Sequence, residues 1–167
     1  TTEIYTLSLH DALPIFYKLA ARERNGAFIP TMKVSDNPEK STNPGIKQVY
    51  RFYDDKGGPL ADLIAFDGSD FRPGEPVLFH HPYMDYRHFT LEASGGIIPL
   101  LEKRMEAGKA VGPRPGLNDI RIRTLSQIEN LDPTYTRILN PHVYKVSISE
   151  ELRKTKVAIT NEILMGR

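Results

Sequence analysis

Cysteine is absent from the 167 residues. That removes disulfide frameworks, zinc–thiolate sites, iron–sulfur clusters and thiol nucleophiles together, and it fits a reducing, cytoplasmic setting. An excess of one charge is absent too: 22 Lys and Arg stand against 21 Asp and Glu, a formal charge of +1. The chain therefore lacks the basic surplus that drives phosphate-backbone binding, and no nucleic-acid partner is expected. No block of like charge suggests a solvating tail. Long apolar runs are missing as well, because 13 prolines and 12 glycines interrupt them well short of the ~20 residues a spanning helix needs, so no membrane partner is expected. What remains, 40% hydrophobic and 26% charged, is the composition of one ordinary soluble domain.

Residues Thr1 to Ile15 read TTEIYTLSLHDALPI. The stretch has no initial Met and no basic n-region, so it is not a secretory signal. It resembles the translation of one reading frame of a sequencing adapter, which makes 1–15 a foreign artefact ahead of a truncated gene. The other reading is a genuine edge strand or amphipathic start built on Ile4, Leu7, Leu9 and Leu13. Without the segment, 22 basic residues face 19 acidic ones, a charge of +3. The expectation is a natural chain that begins upstream of Phe16.

From Phe16 to about Ala65 the pattern is strand and turn. Arg24-Asn25-Gly26 supplies residues that tolerate positive φ in a tight hairpin, and Pro30 consigns the return strand to an edge or a bulge. Ser35 to Gly45 is almost wholly turn formers with two Asn-Pro steps, an ordered loop rather than a helix. QVYRFY (48–53) alternates, with Val49, Arg51 and Tyr53 on one side and Tyr50 and Phe52 on the other, and PLADLIAF (59–66) returns. Four strands with short connections read as an antiparallel meander. Further strands are expected at 77–79 and 88–92. Gly95 to Val111 is open between helix, by propensity, and strand with a turn. Beyond Gly116, Leu117, Ile120, Leu125, Ile128 and Leu131 recur at helical spacing. Asp132-Pro133 caps a second short helix to Leu139, and Asn140-Pro141 stops it. Val143 to Ile148 reads as a strand, and Ser149 with Glu150 and Glu151 opens the last helix.

Candidate chemistry is sparse. HHPYMDYRH places His80, His81, Asp85 and His88 within nine residues, with Glu92 beyond. Adjacent histidines on a strand face opposite ways, so this is either a solvated loop or, if a turn redirects one ring, a metal or catalytic site. Lys33, Lys40 and Lys47, with Ser35, Ser41 and Thr42, could contact phosphate; the alternative is a turn-locked connection. Tyr50, Phe52 and Tyr53 suit core packing better than a base-stacking platform. Asp62, between Ala61 and Leu63, is expected to face solvent rather than to serve as a base.

Four strings carry more. YKLAA (Tyr17 to Ala21), MKVSDNPEKSTNPGIKQVYRFYD (Met32 to Asp54), LADLIAFD (Leu60 to Asp67) and ILNPHVYKVSISEEL (Ile138 to Leu152) closely resemble, in this order and spacing, the C-terminal part of nicotinate phosphoribosyltransferases. The resemblance covers Phe16 to Arg167 and is loosest from Gly68 to Gly112. It implies an α+β fold: an antiparallel β-rich region over 16–112, then a C-terminal helical region over 113–167 packing on it. The family joins nicotinate to phosphoribosyl diphosphate, with ATP hydrolysis and magnesium, on an α/β barrel upstream of this part. Its phosphohistidine matches none of His80, His81, His88 or His142, so the resemblance assigns this chain no catalytic, cofactor-binding or metal residue. The partners it implies are the N-terminal part of the same chain and a second copy in a homodimer. Two other readings stay open: a stand-alone antiparallel-sheet binding module, and a metal-dependent enzyme using His80, His81 and His88.

Overall fold

A computed structural model describes residues 18–166; the expectation about Thr1 to Ile15 lies outside them. Strands β1 (Ala21–Arg24) and β2 (Ala27–Pro30) form a two-stranded antiparallel ribbon. Asn25 (φ 54°) and Gly26 (φ 78°) make its two-residue turn, the positive-φ pair that matches the right-handed twist of the flanking strands. A long loop containing one 3-10 turn, Pro38–Lys40, leads to β3 (Lys47–Tyr53), which pairs antiparallel with β4 (Pro59–Phe66). Next come the hairpin β5 (Pro76–His80) and β6 (His88–Glu92), the short β7 (Ile97–Pro99), and a two-residue ribbon of β8 (Met105–Glu106) and β9 (Lys109–Ala110). Helices α1 (Leu117–Glu129) and α2 (Pro133–Thr136) precede β10 (Val146–Ser149), which runs directly into α3 (Glu150–Met165).

The class is mixed α+β, but the strands do not form one meander. The main sheet has the order β6-β5-β10-β4-β3-β7, and the β1–β2 ribbon is separate from it. Strand β10 lies between β4, to which it is parallel, and β5, to which it is antiparallel. A strand from the last quarter of the chain thus joins two earlier hairpins. Such a parallel neighbour can come only from a distant connection, which local patterning does not reveal.

The β3 alternation holds: Gln48, Tyr50 and Phe52 are buried, and Lys47, Val49, Arg51 and Tyr53 are half-buried. Tyr50, Phe52, Ala61, Leu63, Ala65, Phe79 and Ala93 make the core. Phe52 meets Phe79 edge-on at 5.0 Å and Phe71 covers Tyr50 at 5.0 Å, so these aromatics are packing groups and not a stacking platform. Between Gly95 and Val111 the strand alternative prevails: β7 adds to the free edge of β3, and Ala107 (φ 47°) and Gly108 (φ 76°) turn the β8–β9 ribbon.

Capping follows the expected chemistry. Asp132 Oδ1 accepts from Thr134 N at 2.8 Å, and Ser149 Oγ accepts from Leu152 N at 3.2 Å, each satisfying an otherwise unpaired first-turn amide. Helix α2 stops at Thr136 instead of Leu139. Helix α3 packs on β4, β5 and β10. Helix α1 buries none of its residues.

Candidate functional site

The loop 31–46 is locked by its own polar groups. Lys33 N donates to Thr42 Oγ1 (2.8 Å), Ser35 N to Ser41 Oγ (3.2 Å) and Glu39 N to Asn37 Oδ1 (3.0 Å). Both loop ends meet Ala20, whose carbonyl accepts from Thr31 N (2.8 Å) and Gly45 N (2.6 Å). The hydroxyls of Ser35, Ser41 and Thr42, candidate phosphate contacts from sequence, therefore serve the loop backbone. Lys47 Nζ is held by Gly45 O at 2.5 Å, and its partial burial lowers its pKa.

Asp62 corrects the sequence expectation. It is buried, and Arg51 Nε and Nη2 reach its two carboxylate oxygens at 2.8 Å each. Tyr144 donates its hydroxyl to Asp62 Oδ1 at 3.0 Å. The physical reason is the parallel β10: it makes β4 an interior strand, so a residue that an edge strand would expose becomes covered on both sides. A buried carboxylate then requires a fork-shaped cationic partner. The hydrogen bond to Asp62 raises the Arg51 pKa, and burial with the Asp62 charge raises that of Tyr144. This triangle ties the LNPHVYK segment to the sheet.

The histidines separate. His80 and His88 face each other across β5 and β6, with ring centroids 5.8 Å apart. His80 is buried, with Nε2 2.5 Å from Glu150 Oε2. That is an ion-pair separation, and among the described residues neither ring nitrogen of His80 has a hydrogen-bond partner of good geometry. Burial, the larger influence, lowers its pKa against the opposing pull of Glu150. Glu150 is held down to about 2, first by its hydrogen bond from Arg153. His81 turns away: its Nδ1 accepts from Tyr83 N and Met84 N, both at 3.2 Å. Among the described residues no three His, Asp or Glu side chains converge to hold a metal ion. The metal-enzyme reading on His80, His81 and His88 thus has no geometric support there: His80 and His88 are neighbours, but the 81–87 turn engages His81 Nδ1 with its own backbone amides.

What the structure does gather is three sequence segments around one lysine. Lys156, on α3, donates to Pro82 O (3.1 Å) and Asn43 Oδ1 (3.3 Å) and lies 5.9 Å from the centroid of Tyr83. It joins the 31–46 loop to the histidine segment, and burial lowers its pKa. Beside it opens a groove of about 1060 Å³. Asn43, the 81–89 segment and residues 143–147 line this groove. A smaller cleft of about 320 Å³ is lined by Lys156 itself with Met32, Asp85, Arg153 and Thr160. Sequence reasoning had no signal for Lys156, one of several basic residues on a helix. Asn43, Arg87 and Lys145 lay inside quoted strings without a role.

Comparison with known proteins agrees with the fold. Residues 46–156 match the family model for the nicotinate phosphoribosyltransferase C-terminal domain. The chain is similar to nicotinate phosphoribosyltransferase of Dictyostelium discoideum, 35% identical over 162 residues, covering 92% of this chain and 27% of that protein. For the Bacillus subtilis (strain 168) protein of the same name the values are 28% identity, 97% and 33%. The Bacillus match runs into residues 1–15, so similarity does not mark that segment as foreign. The crystal structure of human nicotinic acid phosphoribosyltransferase superposes with a TM-score of 0.63 at 24% identity, over 71% of this chain and 24% of that one, a likeness of fold.

Proposed function

We propose, from the premise that this chain belongs to the nicotinate phosphoribosyltransferase family and carries its C-terminal domain, that it works as the non-catalytic, sheet-completing part of such an enzyme. The chain spans about a quarter of the length of the curated relatives it matches. The whole protein would join nicotinate to phosphoribosyl diphosphate with ATP and magnesium, a cytoplasmic step of pyridine nucleotide synthesis. That transfer needs an oriented heterocycle, a ribose with its diphosphate held in line, and groups that stabilise the leaving charge, all in one place. The described residues offer no acidic cluster for magnesium, and the loop hydroxyls are engaged with the backbone. Those tasks would fall to the rest of the protein.

The observation that carries this reading is the family match over 46–156, which spans the whole six-stranded sheet. Exposed apolar residues support it: Leu117 and Val143 are each 88% exposed and Ile138 96%, side chains that a covering surface would take out of water. The remainder of the same polypeptide, and a second copy in a homodimer, are the partners this surface would meet. The test is to supply the purified chain with nicotinate, phosphoribosyl diphosphate, ATP and magnesium and to follow nicotinate mononucleotide. No turnover is expected. Turnover abolished by His81→Ala or His88→Ala would overturn the reading.

A further inference from the structure

The six-stranded sheet has two free edges, and they are not alike. β7 is three residues long and ends on Pro99, the short, proline-marked form by which native sheets discourage pairing. β6 (His88–Glu92) has five residues, no Pro or Lys, and no bulge in its pairing with β5. Among the described residues no strand pairs with its outer side. An unblunted edge of this kind is a template for another strand.

The hydrogen-bond phase of the β5–β6 hairpin determines which groups face out. His81 N donates to Arg87 O at 2.9 Å, one step beyond the last aligned residues, His80 and His88. The alternation of an antiparallel ladder then makes Phe79–Phe89 and Val77–Leu91 the pairs that exchange hydrogen bonds. The N–H and C=O groups of His88, Thr90 and Glu92 are therefore turned away from β5, and these three residues are exposed. Phe89 and Leu91 are half-buried and pack against the core. Phe89 ends a row of rings, 5.0 Å from Phe79, which is itself 5.0 Å from Phe52, so the packed apolar layer reaches the edge itself.

The edge sequence His-Phe-Thr-Leu-Glu complements itself. Turned antiparallel about Thr90, it sets His88 opposite Glu92 of the partner subunit, Phe89 opposite Leu91 of the partner subunit, and Thr90 opposite Thr90 of the partner subunit. These are a charge-complementary, an apolar and a hydroxyl pair, the kinds of cross-strand neighbour that stabilise a sheet. The same register brings the outward groups of 88, 90 and 92 against one another, whereas a slip of one residue would oppose them to groups already bonded to β5. We infer that β6 is a self-association edge, along which two copies of this chain join their six-stranded sheets about a twofold axis at Thr90. An isologous contact of this kind closes as a dimer. The proposed function names a homodimer without locating a contact; this inference does not rest on it, since association of the chain is read without turnover.

Sedimentation equilibrium of the full chain tests this. One strand pair is small beside the roughly 1,200 Å² of a stable interface, so dimerisation is expected with a midpoint between about 10 µM and 1 mM. Thr90→Pro removes an outward donor, a change an edge strand tolerates, and should weaken association about tenfold or more with Tm little changed. Glu92→Lys should weaken it several-fold, and His88→Glu added to that variant should recover the loss. The chain has no cysteine, so Thr90→Cys, His88→Cys and Glu92→Cys each supply a single thiol. With oxidised glutathione as oxidant, only Thr90→Cys should form a covalent dimer, because the twofold register sets its two Cα atoms about 5.5 Å apart, within disulfide reach, and those of the other two variants about 14 Å apart. Association through the exposed Leu117, Ile138 and Val143 would instead survive in folded Thr90→Pro. The inference is overturned by a chain that stays monomeric at about 1 mM, by that survival, or by equal cross-linking at the three positions; should Thr90→Pro not fold, the cross-linking comparison decides.

Discussion

Gly45 closes the long loop with φ +81°, and a Cβ built there would lie 2.4 Å from Phe66 Cε1 and 3.0 Å from Cδ1. Two separable penalties follow for Gly45→Ala. The left-handed backbone disfavours an L side chain by about 1–2 kcal/mol, offset by about 0.4–1 kcal/mol from the less flexible unfolded chain. Displacing the Phe66 ring from a packed position adds about 1–3 kcal/mol, for a net loss of roughly 1–5 kcal/mol, centred near 3. Gly68 supplies the control: its φ is +80°, but a Cβ there meets nothing within 4 Å. Gly68→Ala should therefore lose only the backbone part, about 1 kcal/mol. Urea and thermal melts followed by tyrosine fluorescence and circular dichroism would measure both, and Gly45→Ala should lower Tm by several degrees more than Gly68→Ala, at roughly 2–4 °C per kcal/mol for a chain of this size. Combining Gly45→Ala with Phe66→Leu should recover part of the loss relative to Phe66→Leu alone, a coupling that isolates the ring contact. Equal destabilisation by Gly45→Ala and Gly68→Ala would refute the contact argument.

Asp62→Ala strands Arg51 in a partly buried site and should destabilise by about 3 kcal/mol, whereas Tyr144→Phe removes one hydrogen bond and should lose about 1 kcal/mol; chemical denaturation checks both. Burial holds His80 below its ordinary value of 6.5, so the folded chain binds fewer protons than the unfolded one. Its contribution is complete above pH 6.5 and fades as pH falls through the lowered folded value. Glu150, lowered from 4.5 to about 2, acts with the same sign between those two values. Tm should fall from neutral pH to pH 5, less steeply in His80→Leu, and Glu150→Gln should flatten the part of the curve below pH 4.5 while, by removing its upward pull on His80, steepening the part above it. Deleting residues 1–15 should leave Tm unchanged or raised, and a large fall would place that segment in the fold.

The elements that local chemistry determines were legible in sequence. Asn25-Gly26 gave away the first hairpin, the alternation of 48–53 its buried face, and Asp132-Pro133 and Ser149 two helix starts. Each depends on neighbours within a few residues, where backbone preference and capping decide the outcome. The partner of β10 was not legible, because any strand can pair with many others and the choice is made by packing across the whole sheet. That one placement hid the fate of Asp62, whose burial follows from β4 becoming interior. It also hid the groove, whose walls come from segments around 43, 81–89 and 143–147 that only the sheet order and Lys156 bring together. The histidine cluster misled in the opposite sense: proximity in sequence suggested a common site, whereas strand pairing sets His80 beside His88 at 5.8 Å and the tight turn engages His81 Nδ1 with backbone amides.

We propose that this chain supplies the C-terminal domain of a nicotinate phosphoribosyltransferase whose chemistry lies in the rest of the protein. The direct measurement fuses residues 16–167 to the Dictyostelium discoideum relative in place of that protein's matching C-terminal part, with the truncated relative and the present chain assayed alone beside it. Nicotinate mononucleotide formation is expected from the fusion and from neither piece separately. A folded fusion as inactive as the truncated relative, or turnover by the present chain alone, would contradict the account.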